Sequence, residues 1–240
     1  MSKIPKIIHQ IWSGIDEPLP QFFRLLSETW KKHYPDWEYI LWDNHKMNKF
    51  ILDFYPDYKI IYDKFPYNVQ RWDAIRYLIL NKLGGLYADF DYESIKPLTG
   101  VIKESECCFG LEPQSHSRLL TKNVGYVVGN ALMLSVPGHP FMQKIIDTVF
   151  VKDNVIQGKT PRDIFILNTT GPWMLTYLYE GLSAKEKENI YTIPAKYVAP
   201  FNLPQAHRAI SGEISEELEM CLDEAYAVHY FFSGWRKSDK

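Results

Sequence analysis

The first 42 residues alternate between strand-like and helix-like runs, and this order constrains the fold more than any other feature. Residues 6–12 have the apolar, β-branched character of a buried strand, which would place Trp12 at its carboxyl end. Apolar residues then recur at helical spacing over 21–34, and residues 37–42 predict a second strand. A strand, helix, strand order predicts an α/β fold with a parallel sheet, in which ligands bind beyond the carboxyl ends of strands.

The rest of the chain continues this alternation. We predict a buried helix over 68–82 that ends at Gly84-Gly85 and feeds a short strand over 86–89. Further strands are predicted over 107–111, 124–135, 190–193 and 225–232, further helices over 140–149 and 171–179, and a polar, mobile connection over 151–163. With 240 residues, 46% of them hydrophobic, the chain is expected to form one domain over 1–240.

Charge and motif content exclude several function classes. The formal net charge of -2 provides no general attraction for nucleic acid, so no nucleic-acid partner is expected. The sequence has no Walker A loop, Gly-x-Gly-x-x-Gly fingerprint or Gly-x-Ser-x-Gly elbow, which argues against P-loop enzymes, dinucleotide oxidoreductases and serine hydrolases. No apolar run has signal-peptide or membrane-spanning length, so we expect a cytoplasmic protein. The basic residues on the helix over 22–34 are compatible with peripheral contact at the inner face of a membrane.

The sharpest local motif is the run from Gly84 to Asp91, in which a glycine turn feeds a strand that ends in two carboxylates. If this run is extended, Asp89 and Asp91 project to the same side, because neighbouring strand residues face opposite sides. Two such carboxylates suit a hard divalent cation, which also binds phosphate oxygens. The alternative is a solvated turn, which is the more common fate of an isolated Asp-x-Asp.

The helix before this motif carries two opposite charges on one face. Asp73, Arg76, Tyr77 and Leu80 follow the spacing i, i+3, i+4 and i+7. Asp73 and Arg76 either pair with each other as a structural ion pair or form a polar patch that binds sugar hydroxyls.

Six segments together resemble glycosyltransferase family 32, typified by the Och1-like mannosyltransferases, and the related clostridial glucosylating toxins. They are, in order, IPKIIHQIWSG, WEYILWD, RWDAIRYLILNKLGGLYADFDYESIKPL, NALMLSVPGHPF, TTGPWMLTY and VHYFFSGW. The resemblance implies a GT-A fold, with a Rossmann-like mixed, mainly parallel sheet flanked by helices. It also implies a retaining transferase that moves a hexose from a UDP- or GDP-sugar to a hydroxyl of a glycan or glycolipid acceptor.

The resemblance also implies roles for particular residues. Catalytic roles fall to Asp73, Arg76, Asp89 and Asp91, and Mn²⁺ (or Mg²⁺) would be held by Asp91, His229 and Ser233. The expected donor-binding residues are Trp12, Asp73, Arg76, Tyr87, Asp89, Asn130, Ser233 and Trp235. The expected acceptor or phosphate region contains Ala131, Thr170 and Gly171.

Five of these positions have a purely structural alternative. Trp12 and His229 also suit an ordinary core, and Asn130 suits a strand edge where its side chain satisfies backbone groups. The Thr170-Gly171 pair either offers backbone N–H groups to an anion or simply caps a helix.

Two other functions remain open from the sequence. A sugar nucleotidyltransferase or nucleotide-sugar hydrolase would also place a carboxylate-bound metal on a diphosphate, and a non-catalytic glycan-binding protein would keep only the aromatic sugar site. Surface polysaccharide biosynthesis is the expected setting, with mannosyl and galactosyl transfer both open.

Overall fold

A computed structural model describes residues 3–102, 104–120 and 124–232. Its strands are β1 (Ile7–Ile11), β2 (Glu38–Trp42), β3 (Gly85–Ala88), β4 (Tyr92–Ser94), β5 (Cys107–Leu111), β6 (Val128–Ser135), β7 (Tyr191–Ile193) and β8 (Ala227–His229). Its α-helices are α1 (Gln21–His33), α2 (Asn44–Phe54), α3 (Lys59–Lys64), α4 (Asn68–Leu83), α5 (Thr99–Ile102), α6 (Pro140–Val149), α7 (Arg162–Thr169), α8 (Pro172–Glu180), α9 (Ala184–Lys187), α10 (Ala195–Val198), α11 (Leu203–Ile210) and α12 (Glu216–Leu222). Short 3₁₀ helices cover Pro56–Tyr58, Gln114–Leu119 and Lys152–Val155.

Six strands form a central mixed sheet in the order β2-β1-β3-β6-β5-β7. β1 runs parallel to both β2 and β3, and β5 runs parallel to β7. β6 runs antiparallel to its neighbours β3 and β5, and β4 pairs with β8 in a separate antiparallel ribbon. The predicted α/β class with a mixed, mainly parallel sheet is therefore confirmed.

Both faces of the sheet are buried, because successive side chains alternate between two hydrophobic cores. On β3, Tyr87 packs in the core beneath α4 and α6, whereas Leu86 and Ala88 pack in the core beneath α1. On β6, Met133 and its neighbour Leu134 divide in the same way. A sheet covered on both faces leaves its strand ends as the place for a ligand.

The predicted elements are confirmed where the apolar pattern is strong. The helix over 140–149 and the strand over 107–111 have the predicted bounds, and the helix predicted over 68–82 extends by one residue to Leu83. Three predictions are wrong in extent. The strand expected over 124–135 begins only at Val128, the strand expected over 225–232 is limited to 227–229, and the connection over 151–163 gives way to α7 at Arg162. Helices α2, α3, α11 and α12 were not predicted, because their polar and aromatic residues obscure a helical apolar period. The expectation of one domain over 1–240 stays a prediction.

The Gly84-Gly85 turn fixes β3 against β1. Both glycines have positive φ, 66° and 101°, and a Cβ on Gly85 would lie 2.6 Å from the Ile7 carbonyl oxygen. Trp42 Nε1 donates to His9 Nδ1 at 3.1 Å, so His9 carries its proton on Nε2 and donates it to the Gly84 carbonyl at 2.8 Å. Burial lowers the pKa of His9 to about 4, so this imidazole stays neutral. The motif that carries Asp89 and Asp91 therefore begins from a rigid turn.

We expect Gly85→Ala to destabilise the protein by about 3 kcal/mol or more, because it combines a disfavoured φ with a backbone clash. Gly212→Ala is the matched control, since Gly212 has φ 84° but a Cβ there would meet nothing within 4 Å. The control is expected to cost about 1 kcal/mol. Urea unfolding of both variants measures the difference, and equal losses would contradict the close approach of β1 and β3.

Candidate active site

A cavity of about 1070 Å³ opens at the edge of the sheet where β1, β3 and β5 end. This is the edge predicted for a ligand in an α/β fold. The predicted site residues that line it are Trp12, Asp73, Arg76, Tyr87, Asp89, Asp91, Asn130, Ala131, Gly171 and His229. Thr170 is fully buried and lies outside the lining, and Ser233 and Trp235 lie outside the described residues.

A buried guanidinium joins the two acidic segments of the site. Arg76 Nη2 lies 3.1 Å from Asp73 Oδ1, and Arg76 Nη1 lies 3.2 Å from Asp89 Oδ1. The Arg76 guanidinium also lies 4.7 Å from the centre of the Tyr87 ring. The ion-pair interpretation of the helix is therefore confirmed, and the pair also lies in the cavity lining. The binding of sugar hydroxyls by this pair stays a prediction.

The charges of this network depend on one another. Burial raises the pKa of Asp73 to about 6, although the charge of Arg76 opposes the rise. Burial disfavours the charged form of Arg76, but Asp89, Tyr87 and Asp73 outweigh it and raise the pKa of Arg76. The guanidinium therefore stays charged between its two carboxylates.

Two uncharged side chains hold the Asp73 carboxylate in place through hydrogen bonds. Asn130 Nδ2 donates to Asp73 Oδ1 and Thr170 Oγ1 donates to Asp73 Oδ2, each at 3.0 Å. The Asn130 carbonyl in turn accepts from Arg76 Nη1 at 3.0 Å. The side chain of Asn130 thus binds the carboxylate of Asp73, and its Nδ2 also contacts the Tyr77 hydroxyl at 3.1 Å and the Thr170 backbone carbonyl at 3.5 Å.

The prediction that Thr170 and Gly171 offer backbone N–H groups to an anion is wrong. Both N–H groups donate to the Ile166 carbonyl, at 3.1 and 3.0 Å, and the next residue, Pro172, has no N–H. Thr170 instead acts through its hydroxyl, which contacts Asp73.

The Asp-x-Asp motif lies in a turn and not on an extended strand, which corrects the sequence argument. β3 ends at Ala88, and the Tyr92 N–H donates to the Asp89 carbonyl at 3.1 Å. Asp89 and Asp91 nevertheless line the same cavity, because the turn directs both carboxylates to the strand ends.

Each of these carboxylates has its own partners. Asp89 pairs with Arg76 and accepts a hydrogen bond from the Tyr87 hydroxyl, yet burial raises its pKa above the ordinary value. Asp91 Oδ1 lies 3.2 Å from His229 Nε2, and Asp91 Oδ2 accepts from the Phe232 N–H at 2.8 Å. Burial opposes the charge on Asp91, but His229 and these hydrogen bonds hold its pKa below the ordinary value.

His229 belongs to the ribbon that closes over this carboxylate. Its ring stacks on Tyr92, with centroids 4.3 Å apart and planes 13° apart, and the side chain is buried. Burial disfavours its charge, but Asp91 raises its pKa above the usual value. His229 is therefore a buried residue that also contacts a carboxylate of the cavity lining. Its role as a metal ligand stays a prediction.

The fit of the site to a metal rests on this Asp91–His229 pair. Across the described residues, no group of three His, Cys, Asp or Glu side chains is arranged to hold a metal ion. Mg²⁺ commonly takes one or two protein carboxylates and completes its shell with substrate phosphates and water, and Mn²⁺ accepts carboxylate and imidazole ligands. The pair therefore fits a cation that is shared with a phosphorylated ligand, and Ser233 as a third ligand stays a prediction.

Trp12 lines the cavity at the end of β1. Its Nε1–H donates to the Glu17 carbonyl at 3.0 Å, and its ring packs edge-on against Phe23 and Phe90 at centroid distances of 5.5 and 5.9 Å. The ring is only partly buried, so a base-stacking role stays a prediction.

Sequence reasoning missed a pair on the β5 side of the cavity. His116 Nδ1 lies 2.8 Å from Glu112 Oε2, and the His116 ring packs 4.8 Å from the Phe231 ring. All three residues line the cavity. The i, i+4 spacing of Glu112 and His116 was the available signal, but a 3₁₀ helix between two loops carries no apolar period that would have drawn attention to it.

With this geometry in place, comparison with known proteins identifies the family. Residues 20–108 match the family described as glycosyltransferase sugar-binding region containing DXD motif. The chain belongs to this glycosyltransferase family. Asp73, Arg76, Asp89 and Asp91 all fall inside the matched region.

Several curated relatives are named as mannosyltransferases of yeasts. The chain is 30% identical over 81% of its length to "Inositol phosphoceramide mannosyltransferase 1" and 33% identical over 98% to "Inositol phosphoceramide mannosyltransferase 2", both from Schizosaccharomyces pombe. It is 33% identical over 40% of its length to "Initiation-specific alpha-1,6-mannosyltransferase" of Saccharomyces cerevisiae, where the match covers 21% of that protein. The matches to the first two proteins cover 57% and 59% of their lengths, so the chain spans little more than half of each.

Solved structures of toxin glycosyltransferases share the fold. "PaToxG Glycosyltransferase" superposes with a TM-score of 0.53 at 16% identity, covering 93% of this chain and 89% of that one. The ligand-free glycosyltransferase domain from the YGT toxin also gives 0.53, at 10% identity, covering 91% and 88%. The GT-A fold and the likeness to toxin glycosyltransferase domains are confirmed.

We expect Asp73→Asn to change the pH dependence of stability. The unfolded chain releases the Asp73 proton near pH 4 and the folded protein only near pH 6, so the folded state loses stability as the pH rises through this window. A shift of two pKa units corresponds to roughly 3 kcal/mol. The free energy of unfolding of the variant, relative to that of the wild type, should therefore increase by about 2 kcal/mol between pH 4 and pH 7.

Urea unfolding at pH 4, 5.5 and 7 measures this gain. Asp223→Asn is the control, because Asp223 is exposed, and its difference from the wild type should stay flat across the range. A flat difference for Asp73→Asn as well would show that burial does not perturb Asp73.

Proposed function

We propose that this protein is a metal-dependent, retaining hexosyltransferase that takes a sugar from a UDP- or GDP-sugar and transfers it to a hydroxyl of a glycolipid acceptor. One observation carries the proposal: the Asp73–Arg76–Asp89 network and the Asp91–His229 pair line a single cavity at the strand ends. The names of the yeast relatives support mannose as the first sugar to test and an inositol phospholipid as the first acceptor. A role in polysaccharide biosynthesis and galactosyl transfer stay predictions.

The charge of the cavity lining supports a cation requirement. Among the described lining residues two are arginines, Arg76 and Arg162, none is a lysine, and six are acidic, namely Asp16, Glu17, Asp73, Asp89, Asp91 and Glu112. A nucleotide diphosphate would be repelled from such a lining unless a cation entered with it. When bound, Mn²⁺ or Mg²⁺ would neutralise the charge that develops on the departing diphosphate.

The residues of this chain would orient the donor. Asp91 and His229 would hold the cation at the diphosphate, and Arg76 would keep Asp73 and Asp89 charged and fixed beside the donor sugar. Asp73 and Asp89 are both paired with Arg76, which makes them weak nucleophiles. We therefore favour front-face attack, in which the acceptor oxygen bonds to the anomeric carbon while the sugar–phosphate bond breaks on that face. The acceptor proton passes to the leaving diphosphate.

The location of the reaction is also a proposal. None of the helices within the described ranges is long and apolar enough to cross a bilayer. A lipid acceptor would bring the protein into peripheral contact with a membrane surface, and the cytoplasmic side stays our expectation.

We expect Asp91→Asn to lower sugar transfer by at least about 100-fold without unfolding the protein, because it removes one charge from the cation site. The assay follows products by mass spectrometry with GDP-mannose, UDP-glucose, UDP-galactose and UDP-N-acetylglucosamine, each with Mn²⁺ or EDTA and with phosphatidylinositol micelles. Asp36→Asn, at an exposed position outside the cavity, is the control and should keep full activity.

Three outcomes would contradict the proposal. Wild-type transfer that persists in EDTA would remove the metal role. Release of sugar phosphate or free sugar with no transfer product would favour a nucleotidyltransferase or hydrolase. Glycan binding with no turnover of any donor would favour a non-catalytic protein.

A further inference from the structure

The Glu112–His116 pair is a fixed polar group in the cavity lining that the proposed donor and cation sites do not use. His116 Nδ1 lies 2.8 Å from Glu112 Oε2, and the backbone N–H of Glu112 donates to the Val127 carbonyl at 3.0 Å. The His116 ring packs in turn against the Phe231 ring, with centroids 4.8 Å apart. The carboxylate is therefore oriented before any ligand binds.

This carboxylate can be reached from the cavity. The side chains of Glu112 and His116 are 19% and 18% exposed, and both residues line the cavity. An ionised carboxylate has about four acceptor sites on its two oxygens, and the contact with His116 Nδ1 takes one of them. Glu112 therefore has the capacity to accept further hydrogen bonds from a ligand.

Gly129 brings the Glu112 side chain close to the donor network. A Cβ on Gly129 would lie 3.4 Å from Glu112 Cγ and 3.7 Å from Glu112 Oε1. Gly129 directly precedes Asn130, whose side chain donates to the carboxylate of Asp73. Glu112 thus lies beside the start of β6, next to the residue that supports Asp73.

The strand order separates Glu112 from the Trp12 end of the cavity. Along the edge where the cavity opens, β1, β3, β6 and β5 follow one another and carry Trp12, Asp89, Asn130 and Glu112 in that order. Two strand spacings of about 4.8 Å place the ends of β3 and β5 roughly 10 Å apart. Under the proposed function the nucleotide lies towards Trp12 and the donor sugar lies beside Asp89, so the end of β5 is where the acceptor would meet the sugar.

The chemistry of the pair favours a neutral ligand with hydroxyl groups. A carboxylate repels a phosphate, whereas a hydroxyl donates to it through a charge-assisted hydrogen bond, which is stronger than a bond between neutral groups. The ring of a sugar or of inositol carries several such hydroxyls. Glu112 therefore suits the polyol ring of an acceptor better than its phosphate.

Phe231 joins this pair to the Asp91–His229 pair. Its φ is 53°, which is disfavoured for a bulky side chain, and its ring contacts the rings of both His116 and His229, at centroid distances of 4.8 and 3.9 Å. Backbone strain of this kind is concentrated at ligand-binding sites. Here it lies where the acceptor side of the cavity would meet the cation side.

We propose that Glu112, oriented by His116, binds hydroxyl groups of the acceptor's polyol ring and so positions this ring beside the donor sugar. Glu112 is the acceptor-binding residue in this account, and His116 is a positioning residue that acts through it. This inference rests on the proposed transferase function and names the part of the acceptor that the site recognises.

The test compares acceptor and donor affinities in Glu112→Ala and in the wild type. Transfer to phosphatidylinositol in micelles is measured with whichever of the four nucleotide sugars supports it. We expect KM for the acceptor to rise about 10- to 100-fold in the variant, the range expected when a charge-assisted hydrogen bond is lost. KM for the donor, and the Kd of GDP and UDP in Mn²⁺, should change less than about threefold, whereas a general disturbance of the cavity would weaken donor binding as well.

Monodeoxy analogues of phosphatidylinositol test the hydrogen bond itself. In the wild type, removal of the ring hydroxyl that Glu112 binds should raise the acceptor KM about tenfold or more. In Glu112→Ala, the same analogue and the parent lipid should have equal KM values, because the partner of that hydroxyl is already absent.

Three further variants complete the design. Glu112→Gln keeps an oxygen that accepts from a hydroxyl and should recover part of the acceptor affinity. His116→Leu should raise the acceptor KM less than Glu112→Ala does, and it should add no further rise in the double variant, because both changes act through one carboxylate. Glu188→Gln, at an exposed position outside the cavity lining, is the control and should leave both KM values unchanged.

The outcomes separate this inference from the function on which it rests. An unchanged acceptor KM in Glu112→Ala, or equal sensitivity of Glu112→Ala and the wild type to every monodeoxy analogue, would overturn the inference and leave the transferase standing. A wild type that transfers sugar from none of the donors would overturn the proposed function and the inference with it. If Glu112→Ala melts at a lower temperature than the wild type, the acceptor and donor KM values of Glu112→Gln decide the question.

Discussion

The site depends on one buried positive charge. Arg76 is 5% exposed and lies between Asp73 and Asp89, and removing it would leave the buried carboxylate of Asp73 and the partly exposed carboxylate of Asp89 without their positive partner. The pair of carboxylates would then take up protons or separate. Arg76 comes from α4 and Asp89 from the end of β3, so this interaction also fixes the helix relative to the sheet. Stability and the proposed donor binding therefore depend on the same guanidinium.

A second constraint is the separation of charge within the cavity. Arg76 balances Asp73 and Asp89, and His229 balances Asp91, so the two halves of the Asp-x-Asp motif have different partners. Asp89 therefore belongs to the Arg76 network, whereas Asp91 contacts an imidazole and the Phe232 N–H beside the ribbon formed by β4 and β8. Under the proposed function, this division would let two neighbouring aspartates serve a sugar and a cation respectively.

Much of this arrangement follows from the sequence, and the remainder follows from packing. The spacing of Asp73 and Arg76 predicted a shared helix face, and the alternating elements predicted the sheet edge where the cavity opens. The Asp-x-Asp argument reached the correct cavity through a wrong local structure, because a turn replaced the expected strand. Thr170 and Arg162 could not be placed from sequence, since each contributes through residues about 95 positions away in the chain, Asp73 and Tyr67. Only the packing of α7 against α4 brings them to the site.

The central claim is that the cation and the nucleotide diphosphate bind together. Isothermal titration calorimetry of the wild-type protein with GDP and with UDP, in Mn²⁺ and in EDTA, tests it directly. Binding linkage requires that if Mn²⁺ tightens nucleotide binding, the nucleotide tightens Mn²⁺ binding by the same factor. We predict that one of the two nucleotides binds at least about tenfold more tightly with Mn²⁺, a coupling of about 1.4 kcal/mol. If GDP binds equally tightly in Mn²⁺ and in EDTA, and UDP does so as well, the account is contradicted.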